Sequence, residues 1–402
     1  MLIGIDASRA NRSLRTGTEW YSFYIISHLA EIDRENRYIL YLDKAPAADL
    51  AAAVAPYKNF SFKVLRWPWH YFWTLGRLTW EMIFHAPDVL FVPAHSLPLV
   101  HPHRTVNTIH DIAFVREGGV YQKRTVKVEH EAEKSFLNFL TRLLTGGRYE
   151  SNSLDYLSWS TAYALRHASK IIAVSEFTKK EILEYYSDKY EEKVKVVHNG
   201  FPRELYYRRP DSLDRQRILE KYGIEQPYFL YVGRLEKKKN TSALVEAFAI
   251  YKEAFPQSPL LLVLIGNAGY GYDEVKYIIE EYNLGHSVIF PGWVSENDLP
   301  EIFGGALAFV FPTLHEGFGI PALQAMASGV PTLLSDLPVL REVAGEAALF
   351  FDPRDRASIA AALAHIAQSE DLRRSLIKQG LDRCREFSWE KSARETLAVL
   401  TS

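Results

Sequence analysis

The sequence predicts an α/β protein built from two doubly wound domains in tandem. Three observations point there. Short apolar runs alternate with amphipathic stretches along the chain, many of these runs are continuously apolar, and the alternation halts and restarts near residue 200. Strand–helix alternation implies parallel sheets covered by helices on both faces. Continuously apolar strands suit that arrangement, because both faces of such a sheet are buried.

In the first half the expected strands are Leu2–Ala7, Tyr38–Leu42, Phe62–Leu65, Val89–Val92, Val106–Ile109, Ile171–Val174 and Val194–Val197. In the second half they are Tyr228–Val232, Leu260–Ile265, Val288–Phe290, Leu307–Phe311, Pro331–Leu334 and Ala348–Phe351. Helical patterns such as Ser242–Phe255 and Asp273–Tyr282 lie between them, and Ser388–Leu400 reads as a last amphipathic helix. Gly200-Phe201-Pro202 and the charged stretch to Asp211 mark the break. The expected domains are 1–203 and 204–385, followed by a helix over 386–402 with the option of crossing back to the first domain. A length of 402 residues suits two domains.

Composition narrows the class. The chain is 48% hydrophobic and 24% charged, ordinary for a globular protein. A net charge of -2 argues against a dedicated nucleic-acid binder. One cysteine, Cys384, excludes an internal disulfide and a cysteine-cluster zinc site. The first residues lack a basic leader and no apolar run is long enough to span a bilayer, so the expected location is cytoplasmic, with the inner membrane face as an option.

In open α/β sheets, ligands bind outside the carboxyl ends of the strands. Two stretches there carry charge. HEGFGIPALQAMASG, His315–Gly329, follows the strand ending at Phe311. Pro321 fits the first position of a helix, where its missing N–H costs nothing. The backbone N–H groups of Phe318, Gly319 and Ile320 would then face an anion beside the positive end of the helix. Glu316 can accept hydrogen bonds from hydroxyls. An ordinary strand–turn–helix connection has the same local pattern. GRLEKKKN, Gly233–Asn240, follows the strand Tyr228–Val232. Arg234 offers a forked donor to phosphate and Lys239 a compact charge. A solvated basic loop capped by Asn240 is the plainer alternative.

Weaker features complete the set. His110 ends the strand Val106–Ile109, and no suitably spaced partners suggest a metal. Gly17, after the first strand, would let backbone N–H groups approach a phosphate. The aromatic stretch Arg66–Trp73 suits a membrane surface, a lipid-linked acceptor, a sugar ring or a packed core. Val126–Leu144 reads as a helix, with Gly146–Ser151 as a loop after it.

Taken together these stretches resemble the retaining glycosyltransferases of the GT-B fold, in the large group called family four, in which two Rossmann-like domains face each other across a cleft. GRLEKKKN, FPGWVS and FPTLHEGFGIPALQAMASGVPTLLSD carry the resemblance from Tyr228 to Pro353. The Gly17 loop, Leu78–Glu81, His110-Asp111 and Ile172–Phe177 carry it in the first half. The chain is most similar to bacterial enzymes that move mannose or a related hexose onto a surface saccharide. The resemblance implies roles. Arg234 and Lys239 would neutralise the donor diphosphate, and Glu316 would hold donor-sugar hydroxyls. Gly317, Phe318 and Gly319 would line the sugar pocket, with Ile320 near the phosphates. His110 would meet the sugar near the reacting centre. Gly17 and Thr18 would close on the phosphate, and Gly233 would belong to the donor-binding set. Trp293 and Val294 would frame the base. No metal and no cofactor are expected. The donor would be GDP-mannose first, then UDP-glucose or another UDP-hexose. The acceptor would be a saccharide or a lipid-linked saccharide, with a peripheral membrane contact as an option.

One position departs from the pattern. The group usually places an acid at Gln324, eight residues after Glu316, to grip the donor ribose. A Gln amide offers one acceptor oxygen where a carboxylate offers two, so donor affinity or nucleotide identity would change. A nucleotide-sugar epimerase and a non-catalytic nucleotide-sugar binder are the competing functions.

Overall fold

The computed structural model describes residues 1–67, 73–116 and 153–402. Residues 68–72 of the aromatic stretch, the helix expected over Val126–Leu144 and the loop Gly146–Ser151 lie outside the described residues. The described chain divides into two compact units: Met1–Gly200 with Trp389–Ser402, and Phe201–Ser388.

The first unit holds a parallel sheet in which seven strands are described, in the order β3-β2-β1-β4-β5-β6-β7. The strands are β1 (Leu2–Asp6), β2 (Arg37–Leu42), β3 (Phe60–Val64), β4 (Val89–Val92), β5 (Thr105–Ile109), β6 (Lys170–Ala173) and β7 (Val194–Val196). β4 and β5 are buried along their whole length, whereas the edge strand β3 is only partly covered. That gradient is why β4, Val-Leu-Phe-Val, reads as a continuous apolar run, while β5 buries Thr105, Asn107 and Thr108 as well.

The second unit repeats the plan with six described strands, in the order β10-β9-β8-β11-β12-β13. They are β8 (Tyr228–Val232), β9 (Leu261–Ile265), β10 (Val288–Gly292), β11 (Ala308–Phe311), β12 (Thr332–Ser335) and β13 (Leu349–Phe351). Each expected apolar run forms a strand. Counted from its own first strand, each sheet follows the order 3-2-1-4-5-6, and the first unit adds β7 at one edge. The order reverses between β1 and β4 and between β8 and β11, which opens a crevice at the carboxyl ends of those strands.

Packing holds this frame. Phe229 and Leu230 on β8 and Phe309 and Val310 on β11 are fully buried. Each such side chain contributes about 1.5–3 kcal/mol. Helix Thr241–Ala254 covers one face, with Leu244, Val245 and Phe248 buried, and packs against helix Arg356–Gln368.

The last helix, Trp389–Thr401, belongs to the first unit. Its buried residues include Trp389, Ala393, Thr396 and Leu400, a stripe at helical spacing. The stripe lies on helix Gly17–Ile32, where Trp389 stacks on Tyr24 at 5.3 Å and 13°. The unit boundaries fall at Gly200/Phe201 and Ser388/Trp389, close to but not at the expected 203/204 and 385/386. Arg203 supplies the reason. Its guanidinium donates to the carbonyls of Phe387 at 2.8 Å and Arg385 at 2.6 Å, so both ends of the second unit are stitched to each other. Among the described residues no helix is long and apolar enough to cross a membrane.

Candidate active site

Two loops leave the carboxyl ends of β8 and β11 on either side of the second unit's crevice. Backbone and hydroxyl groups tie them together. The Leu314 N–H donates to the Lys238 carbonyl at 3.0 Å, and the Thr313 hydroxyl lies 3.3 Å from the same oxygen. This join places Lys239 beside Glu316, and the two form an ion pair. Their side chains are only 18% and 13% exposed. Charges that far from water need a partner, and each serves the other. The Lys239 ammonium also lies 5.4 Å from the centre of the Phe311 ring. An ammonium has three donors and a carboxylate about four acceptor positions, so the pair keeps capacity for a ligand on both sides.

Arg234 is half exposed, with Nε 3.7 Å from the Glu236 carboxylate. Its backbone is fixed from below, because the buried Tyr231 hydroxyl donates to the Arg234 carbonyl at 2.9 Å. Burial first, and the Glu316 charge second, raise the Tyr231 phenol well above its ordinary pKa, so it stays a donor. Gly233 lies against the loop after β9. At Gly266 the backbone has φ +142°, and a Cβ there would sit 2.0 Å from the Gly233 carbonyl oxygen. Only glycine permits that approach.

Gly319, with φ +98°, turns the β11 loop into helix Ile320–Ala327. Pro321 is the second helical residue, one later than expected, since Ile320 is already helical. Both positions lie in the first turn, where a missing N–H is harmless. The helix therefore aims its positive end at the loop that carries Glu316. Gly317 and Phe318 are buried in the turn, and Phe318 meets Phe387 edge-on at 5.7 Å. Gln324 sits one turn beyond Ile320 on the partly exposed side, while Ala322, Leu323, Ala325 and Met326 are buried. Among the described residues the Gln324 side chain makes no hydrogen bond. Trp293 and Val294 follow the edge strand β10 at the same end of the sheet. Trp293 is half exposed, whereas Val294 is buried.

His110, Gly17 and Thr18 lie on the first unit. His110 follows β5, and its Nε2 lies 3.2 Å from the Pro93 carbonyl oxygen. A carbonyl only accepts, so Nε2 carries the proton and Nδ1 keeps its lone pair. Burial, and then the neighbouring His95, push the His110 pKa down to about 4, which leaves the ring neutral near pH 7. Gly17 and Thr18 open the first turn of helix Gly17–Ile32. One turn later Tyr21 packs edge-on against the His110 ring at 4.7 Å. The fold thus brings the Gly17 turn and His110 to one place. A Cβ at Gly17 would meet nothing within 4 Å, so the chain does not need glycine there for its own packing.

Asn240 behaves differently from a helix cap. Its backbone is left-handed, φ 57° and ψ 33°, and its side chain makes no capping bond. Sequence reasoning also missed Tyr231 and Gly266. Gly266 left a faint trace, a glycine directly after an apolar run, but Tyr231 is one aromatic residue among several in β8. Among the described residues no cluster of three or more metal-ligating side chains occurs. In chemical terms, the second-unit crevice offers two cations and a helix N-terminus to a polyanion, with a carboxylate alongside for hydroxyls.

Comparison with known proteins fits this geometry. Residues 15–205 match the profile described as Glycosyltransferase Family 4, and residues 214–383 match that of Glycosyl transferases group 1. The O-antigen chain mannosyltransferase B of Escherichia coli is 28% identical over 326 residues, covering 80% of this chain and 82% of that protein. The serotype-specific mannosyltransferase WbdA of Escherichia coli is 28% identical over 227 residues, 56% of this chain, but the chain spans only 28% of WbdA. The structure of sucrose-phosphate synthase from Thermosynechococcus elongatus superposes with a TM-score of 0.73 at 18% identity, covering 100% of this chain and 98% of that one. That likeness is one of fold, and the fold class is GT-B. With its two matched segments and its crevice of paired charges, the chain belongs to the group 1 glycosyltransferases, family four, and is an enzyme of that class.

Proposed function

We propose that this glycosyltransferase moves a hexose from a nucleotide-diphosphate sugar to a saccharide or lipid-linked saccharide, with retention of configuration and without a metal. The observation that carries the proposal is the Lys239–Glu316 pair at the β8/β11 crevice, with Arg234 alongside. Mannose from GDP-mannose is the first choice, supported by the mannosyltransferase names of the relatives, and a UDP-hexose is second.

In this reading Lys239 and Arg234 bind the diphosphate and stabilise the charge that grows on the leaving nucleoside diphosphate. Cations held in place before reaction lower that barrier without reorganising. Glu316 accepts hydroxyls of the donor sugar. Gly317, Phe318 and Gly319 shape its pocket, and Ile320 lies toward the phosphates. Gly17, Thr18 and Gly233 provide close backbone approach to phosphate, and Trp293 and Val294 frame the base. His110, neutral with a lone pair on Nδ1, accepts a sugar hydroxyl. The acceptor hydroxyl attacks the anomeric carbon from the face the nucleotide leaves, and the departing phosphate oxygen takes its proton. Gln324 holds the ribose through an amide in place of a carboxylate.

A thermal-shift panel of nucleoside diphosphates and their sugars tests the donor, since a true donor stabilises the folded state by mass action. Incubation of the preferred sugar without acceptor then tests the chemistry. Free hexose and nucleoside diphosphate are expected. An isomerised sugar would make the protein an epimerase, and an untouched donor would make it a binder.

A further inference from the structure

Asn240 is buried, and its backbone is in the left-handed region that asparagine tolerates better than most residues. Its side-chain amide donates to two carbonyls: Pro312 at 3.1 Å and Pro353 at 2.7 Å. Pro312 opens the loop that carries Glu316. Pro353 lies just beyond β13. Asn240 itself ends the loop that carries Lys239. One side chain therefore fastens three strand-end loops, from β8, β11 and β13, at the same edge of the sheet.

We propose that Asn240 is a positioning residue that sets the Lys239–Glu316 pair. Its left-handed backbone directs Lys239 back over the sheet. Its amide bond to Pro312 fixes how far the Glu316 loop stands from it, and its bond to Pro353 anchors the turn to the chain beyond β13. The Lys238 carbonyl, which accepts from Leu314 and Thr313, joins the same two loops a second time. Loops held by solvent-facing contacts alone would let the ammonium and carboxylate drift, and a shift of about 1 Å at such a site can cost about a hundredfold in rate. The geometric part stands on its own, whereas its effect on turnover rests on the transferase reading above.

Asn240→Gly keeps the backbone and removes both donors. Asn240→Asp keeps the shape and turns one amide into an acceptor facing two carbonyls. Two readouts are needed. The first is the rate at which Lys239 is acylated by a water-soluble amine reagent in the absence of any nucleotide, read by peptide mass spectrometry. The second is hydrolysis of GDP-mannose, or of whichever nucleotide sugar wild type consumes. For a variant that melts close to wild type, Lys239 labelling should rise several-fold and the hydrolytic kcat should fall about tenfold or more. In a Lys239→Ala background Asn240→Gly should cost nothing further, because the two act through one element. Unchanged labelling in both variants, or an equal loss in the Lys239→Ala background, would overturn the proposal. So would unfolding of both variants, which would make Asn240 a residue of the fold alone. A wild type that consumes no nucleotide sugar while Asn240→Gly still unmasks Lys239 would instead overturn the transferase reading.

Discussion

The two sheets share the strand order 3-2-1-4-5-6 but furnish the crevice at its reversal differently. In the second unit the loops at the order reversal meet through charge: Lys239 pairs with Glu316 and Arg234 stands beside them. In the first unit the loop after β1 carries Arg9, which pairs with Glu19 of the following helix at 3.4 Å, and Arg12, which pairs with Asp43 at 2.9 Å. The loop after β4 meets β5 and its end through uncharged groups: His110 donates to the Pro93 carbonyl, and the Asn107 amide donates to the Ala94 carbonyl. The comparison separates what topology supplies from what residues supply. Topology supplies an open edge in both units. Both place cations and a helix N-terminus at that edge, Arg9 and the start of helix Gly17–Ile32 in the first unit, whereas the second also pairs a cation of one loop, Lys239, with a carboxylate of the facing loop, Glu316.

If that division of labour is right, Lys239→Ala has the largest effect. Donor hydrolysis should fall about a hundredfold or more, as for loss of a charge-stabilising donor. The protein should still fold, as a melting curve will show. Near-normal turnover would remove charge from the account of the second crevice. His110→Gln should be milder, about five- to tenfold in kcat/KM, the size of one uncharged hydrogen bond. A loss larger than that of Lys239→Ala would reverse the comparison.

The neutral His110 also has a pH signature. Its folded pKa of about 4 lies below the ordinary value of 6.5, so between those values the unfolded chain binds more protons. Stability from this group is complete above pH 6.5 and declines as pH falls toward 4. The melting midpoint of His110→Gln should therefore fall less steeply with acidification than that of wild type. Parallel slopes would mean that His110 is not the group that titrates.

Two glycines sharpen the contrast at smaller scale. Gly266→Ala must displace the Gly233 carbonyl, at a cost of about 1–3 kcal/mol for the strained backbone. Gly17→Ala enters open space and should change stability by no more than about 0.5 kcal/mol, while weakening nucleotide binding if its backbone meets phosphate. Denaturant titration of both variants reads the difference. The smallest effect is expected at Gln324→Glu. By calorimetry it should bind donor no more weakly than wild type, and tighter by about 1 kcal/mol if a carboxylate grips the ribose better. Clearly weaker binding would give Gln324 a purpose of its own.

Much of this could be read directly from the amino acids. The apolar runs located the strands because burial on both faces leaves no polar alternation to confuse them. Arg234, Lys239 and Glu316 stood out because charge directly after an apolar strand marks the carboxyl edge of a sheet. Their pairing was not legible. The sequence assigned Lys239 to phosphate and Glu316 to sugar, and only the fold shows each as the other's partner.

The sequence alone determined the class of fold, the ends of the strands and the chemical types at the crevice. These follow from local period and residue identity. The tertiary structure decided which of those residues meet. Asn240 reaches carbonyls 72 and 113 positions away, and the surroundings that hold His110 neutral come from several segments of the chain. The helix Trp389–Thr401 finds its partner at helix Gly17–Ile32, at the other end of the sequence. Contacts so distant leave no local periodicity. They form only once close packing has brought the segments together.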